Sequence, residues 1–123
     1  MKTFIIIGAV NAFLAVAPGA FGAHGLEGRI EAKYLETWQT GVTYQMFHAA
    51  GLLVIGILLG NLPGNALLTR AGWIMLAGII LFSGSLYILS LTGFSMLGAV
   101  TPFGGVAFLT AWVMLIVAAV KYL

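Results

Sequence analysis

Four apolar runs, at residues 4–22, 41–60, 72–91 and 103–120, contain no Asp, Glu, Lys or Arg and are separated by links at 23–40, 61–71 and 92–102. Each comes close to the length of about 20 residues that an α-helix needs to cross a hydrocarbon core of about 30 Å. The pattern therefore predicts four transmembrane helices. Alternating segments of about ten residues, the mark of a transmembrane barrel, are not visible. So little chain lies between the runs that residues 1–123 read as one domain, an all-α integral membrane protein.

The links carry stop and start signals. In "NLPGN", Pro63 and Gly64 end the second helix and Asn65 can cap the third. Thr101 followed by Pro102 reads as a cap followed by proline at the first helical position. In the first link Leu26, Ile30, Tyr34 and Trp38 recur every four residues, with Glu27, Arg29, Glu31, Lys33 and Glu36 on the other faces. That spacing predicts a short amphipathic interfacial helix between the first and second spans, with Tyr34 and Trp38 at headgroup depth. The alternative is an extension of the second helix. Pro18 cannot donate to the Leu14 carbonyl and predicts a kink late in the first helix.

Composition agrees with the pattern: 62% of residues are hydrophobic and 7% charged, against about a quarter charged in soluble domains. A formal charge of +2, scattered along the chain, is too small for a nucleic-acid surface. The absence of cysteine excludes disulfides, thiolate catalysis and thiolate metal sites. Lys2 and the small residues Ala15, Val16 and Ala17 imitate a signal peptide, but Pro18 directly after them opposes cleavage, so the segment is expected to stay as the first span. Four crossings put both termini on one side with Lys2, Arg70 and Lys121, and Arg29 and Lys33 on the other. The positive-inside count favours a multi-pass protein of the cell membrane with cytoplasmic termini.

Alternating helix direction gathers the polar residues into one leaflet. His24 ends the first span; Thr43, Tyr44, Gln45 and His48 open the second; Ser83, Ser85 and Tyr87 close the third; Thr101 opens the fourth. Spacings of three and four place Tyr44, Gln45 and His48 on one helical face. His48, about 10 Å deep at roughly 1.5 Å per residue, is a functional candidate as an intramembrane ionisable group. The plainer reading is an interhelical hydrogen bond, to Tyr87 or Ser83. For His24 the plainer reading is a bond to carbonyls left open at a helix end, and for Asn11 a bond across helices.

Small residues supply the packing. Gly8, Ala12, Ala15, Gly19 and Gly22 form a stripe on the first helix, and Gly104, Ala107, Ala111 and Ala118 one on the fourth. Such stripes let helices approach closely where lipid is as apolar as leucine. The glycines of "GAFGAHGLEG", residues 19–28, lack the strand and the Gly-Lys-Ser/Thr ending of a phosphate loop. His24, Glu27, Glu31 and His48 contain metal-ligand chemistry, but two histidines are the whole supply. Ser83 or Ser85 with His48 and a glutamate lacks a nucleophile elbow. No catalytic residue, metal site or cofactor is assigned.

"GAFGAHGL", "YQMFHAAGLL", "SGSLYILSLTG" and "TPFGGVAF", in this order and over nearly the whole chain, resemble the small bacterial membrane proteins of domain of unknown function 423, a group similar to transmembrane protein 256 of eukaryotes. The resemblance maps the family motifs onto Gly19, Gly22, His24, Gly25, Tyr44, Gln45, His48, Ser83, Gly84, Ser85, Tyr87, Pro102, Gly104 and Gly105. It implies a four-helix membrane protein and adds no activity. The expectation is a non-enzymatic protein whose polar cluster packs internally and offers a site to membrane lipids, a small ligand or a membrane partner, a second copy included. The alternative is a subunit of an oligomeric proton or small-solute carrier that uses His48.

Overall fold

The computed structural model describes residues 2–123. Four helices are long and apolar enough to span a bilayer. They are α1 (Lys2–Leu26), α2 (Ala32–Asn61), α3 (Ala66–Thr92) and α4 (Thr101–Tyr122). A 3₁₀ turn over Ser95–Ala99 leads into α4. The helices alternate in direction; α1 lies along α2, α2 against α3, and α3 along α4.

The expected separate interfacial helix does not form, because α2 runs unbroken for 30 residues. The four-residue repeat that suggested it spans two elements. Leu26 ends α1, Gly28 turns the chain at φ +80°, and the Glu31 carbonyl receives the N–H groups of Tyr34 and Leu35 to begin α2. From there to Asn61 no proline interrupts the ladder, so the amphipathic residues become the first turns of the span. At about 1.5 Å per residue α2 is about 45 Å long, and its early turns project beyond a core of about 30 Å.

The cap at Asn65 is as expected, with its Oδ1 accepting from the Leu68 N–H at 3.0 Å. The cap expected at Thr101 is not made. The N-cap residue of α4 is Val100, with no side-chain bond. The 3₁₀ turn supplies carbonyls to the incoming chain, and the Thr101 hydroxyl turns sideways to Ser85 instead. Pro18 disrupts α1 without ending it: residues Ala15–Phe21 widen into a π-type stretch. A second widening, Ile80–Gly84 in α3, contains no proline.

The small-residue stripe of α1 faces α2. A Cβ on Gly8 would meet the Leu53 side chain at 2.9 Å, one on Gly19 would meet Val42 at 3.1 Å, and one on Gly22 would meet Trp38 at 3.2 Å. Ala15 is buried and Ala12 half-buried along the same line. On α4, Gly104 presses on the backbone of Phe82, Ala111 and Ala118 are buried, and Ala107 is half-buried. The dry core, centred on Leu52, Ile55, Leu68 and Met75, fills the half of the bundle opposite the polar leaflet. Phe4 closes it, its ring lodged against Gly72.

Candidate functional site

The polar residues of the shared leaflet do not make one cluster. They divide into separate pairs and chains, each joining particular helices. The longest joins three. The Asn11 amide donates to the Ile7 carbonyl at 2.9 Å, the Gln45 amide donates to Asn11 Oδ1 at 3.1 Å, and the Tyr87 hydroxyl donates to Gln45 Oε1 at 2.7 Å. Beside it the Trp38 indole donates to the Gly19 carbonyl at 2.8 Å, within the widened turn of α1, and its ring packs on Tyr87.

Two shorter ties hold α3. The Ser83 hydroxyl donates to the Gly41 carbonyl at 2.8 Å, and the Ser85 and Thr101 hydroxyls lie 2.6 Å apart. Ser83 sits in the widened turn of α3. Each bond occupies a polar atom that water cannot reach in lipid. Among the described residues no buried side-chain nitrogen or oxygen lacks a partner.

His48 belongs to a different face from Gln45. Residues 44 and 45 are neighbours, about 100° apart on a helix of 3.6 residues per turn. Gln45 therefore points to α1 and to Tyr87 of α3, while His48 points to α4 and Tyr44 lies between Phe82 of α3, at 4.5 Å, and Phe108 of α4, at 6.4 Å. The expected partners of His48, Tyr87 and Ser83, are taken elsewhere. Its Nδ1 lies 2.7 Å from the Tyr44 carbonyl, and its Nε2 accepts the Trp112 indole N–H at 3.0 Å. A carbonyl only accepts, so Nδ1 carries the proton and the ring is neutral in this arrangement. The ring stacks on Phe108 with centroids 3.5 Å apart.

His24 stands apart from all of these. Its side chain is 88% exposed, and Nδ1 lies 3.7 Å from Glu27 Oε2. Among the described residues no three metal-ligating side chains converge.

The aromatic residues around His48 line an open groove between α2 and α4 of about 480 Å³. Tyr44, Phe47, Phe82 and Trp112 supply its walls, and Pro102 and Gly105 border it on α4. Gly105 is unlike Gly104: a Cβ there meets nothing within 4 Å. Towards the membrane surface Tyr44 also lines a second depression of about 400 Å³, with Glu36, Gln39, Thr40 and Thr43. Trp112 and Trp38 were missed as site residues because indoles read as apolar. The signal was their N–H, which must find an acceptor in lipid.

Four apolar helices tied by buried polar bonds define a multi-pass integral membrane protein. The chain belongs to the family described as "Protein of unknown function (DUF423)", whose model matches residues 18–105. It is similar to UPF0382 membrane protein YwdK of Bacillus subtilis, with 64% identity over 123 residues and 100% of both chains covered. It is also similar to UPF0382 membrane proteins of Staphylococcus epidermidis, SERP0230, at 52% identity, and of Staphylococcus aureus, SAB0533, at 54%. Both alignments cover 99% of this chain and 98% of the relative. No solved structure matches the chain.

Proposed function

We propose that this chain is a non-enzymatic membrane protein that holds a membrane lipid in the groove between α2 and α4. The observation that carries the reading is the groove itself. Its volume of about 480 Å³ lies within the range of roughly 300–1,000 Å³ typical of ligand sites, and its walls are aromatic. Gly105 supports it further. A glycine inside a helix costs about 1 kcal/mol relative to alanine, and no neighbouring side chain needs the space at this position. The space serves an occupant that approaches the backbone.

The carrier alternative finds no support at His48, because both ring nitrogens are already engaged within the protein. A second proton on Nε2 would face the Trp112 N–H. The distribution of Lys and Arg supports cytoplasmic termini, with the groove then in the outer leaflet.

Gly105→Leu tests the reading. A Cβ at this position meets nothing within 4 Å, so the side chain is expected to fill the groove and leave the helix packing in place. Native mass spectrometry of protein released from detergent micelles is expected to find bound phospholipid on the wild type and little on the variant. Equal retention by both, with the variant folded by circular dichroism, would refute lipid binding in this groove.

A further inference from the structure

The groove and the surface depression share Tyr44, and together they follow one line along α2. Glu36, Thr40, Tyr44 and His48 recur every four residues, and Phe47 lies three beyond Tyr44, so they share one broad face. Along this face the character changes from acidic and hydroxylic at the membrane surface to aromatic inside the hydrocarbon. That gradient is the gradient of an amphiphile, headgroup above and chain below.

The charge of the upper part selects among headgroups. Glu36 is the one charged side chain that lines the depression, and among the described residues its carboxylate makes no ion pair. Lys33, a turn earlier, is drawn away: its Nζ lies 3.8 Å from Glu31 Oε2 and 5.0 Å from the centre of the Tyr34 ring. The Thr40 and Thr43 hydroxyls donate to the carbonyls of Glu36 and Gln39, which leaves their oxygens able to accept. A carboxylate and two acceptor oxygens recognise a donor with positive charge. An anionic headgroup placed there would meet like charge.

We infer that the groove takes a lipid with a primary-amine headgroup, its ammonium at Glu36 and its acyl chain along Tyr44, Phe47 and Leu109. This inference rests on the lipid-binding reading above. The ammonium donates up to three hydrogen bonds to the carboxylate and the hydroxyl oxygens. A quaternary choline carries the same charge but has no N–H to donate. Gly105 lets the chain lie close to α4, and Phe47 and Trp112 flank it.

The experiment is a competition. Wild type, Glu36→Gln and Gly105→Leu are each equilibrated in micelles with equal amounts of phosphatidylethanolamine, phosphatidylglycerol and phosphatidylcholine of identical acyl chains, and bound lipid is read by native mass spectrometry. Wild type is expected to retain the ethanolamine lipid roughly fivefold over each of the others, the scale of one partly exposed charged contact. Glu36→Gln, an exposed substitution that leaves packing intact, is expected to lose the excess of ethanolamine lipid and to retain the three lipids alike. Equal retention of the three lipids by wild type, a preference for phosphatidylglycerol, or an ethanolamine preference that survives Glu36→Gln would each overturn the headgroup assignment. If in those cases Gly105→Leu still abolishes retention, the groove reading stands. If Gly105→Leu retains lipid like wild type, the groove reading fails with it.

Discussion

At the scale of single residues, the structure turns on amides and indoles more than on histidines. Gln45 uses both ends of its amide, to Asn11 and to Tyr87, and so ties α1, α2 and α3 at one point. Gln45→Leu removes two interhelical bonds at once and is expected to cost about 1–2 kcal/mol. Ser83→Ala removes one interhelical bond, to the Gly41 carbonyl, and is expected to cost about 0.5–1 kcal/mol. Unfolding in mixed detergent micelles measures both, and a larger loss for Ser83→Ala would contradict this ranking. The depth of these residues was legible in the sequence, because helix direction places them in one leaflet. Their pairing was not, since a spacing rule says which side chains share a face and not which neighbour that face meets. Tyr44 and Gln45 illustrate the limit: a turn of 100° sends them to different partners. His48 and Trp112 are the opposite case. They stand at similar depths on helices that run in the same direction, so their bond could have been anticipated had the indole been treated as polar.

At the scale of helices, close approach depends on individual glycines, and two adjacent ones differ in whether a neighbour presses on them. Gly104→Ala sets a methyl group against the backbone of Phe82. Backbone cannot step aside as a flexible side chain can, and the substitution is expected to destabilise by about 1–3 kcal/mol. Gly105→Ala meets open space and is expected to stabilise by up to about 1 kcal/mol. Thermal unfolding of the two variants in detergent should therefore move in opposite directions; a shift of the same sign in both would show that the α3–α4 contact is not as described. The two stripes were readable as patterns of small residues. Which glycine clears a neighbour and which leaves a gap depends on the rotation of α4 about its axis, and the pattern contains no information on that. The missing N–H of Pro18 announced a disturbance, expected as a kink and found as a π-type stretch, whereas the one at Ile80–Gly84 has no breaker to announce it. The continuity of α2 was hidden for the reverse reason. A periodic pattern across Gly28 looked like one element although the chain turns there.

At the scale of the whole molecule, four spans and an all-helical fold could be read from the apolar runs alone, because the bilayer thickness dictates their length. The orientation is a separate matter of charge. The chain has no cysteine, so single-cysteine variants report it without background. In intact cells a membrane-impermeant maleimide is expected to label Glu36→Cys and to spare Lys121→Cys until the membrane is opened; the reverse would put the termini outside.

The two widened turns, Ala15–Phe21 and Ile80–Gly84, fall in the same leaflet, and the dry core of Leu52, Ile55, Leu68 and Met75 fills the other. The bundle is thus mechanically uneven. One end is a close-packed block with low compressibility; the other is a set of helix turns with slack in their winding, held by a few directional bonds. When the surrounding bilayer thins or thickens, the end with the widened turns is expected to take up the change in length and the packed end to move as a unit, so amide exchange in thin and thick bilayers should differ at Ala15–Phe21 and Ile80–Gly84 and not around Leu52.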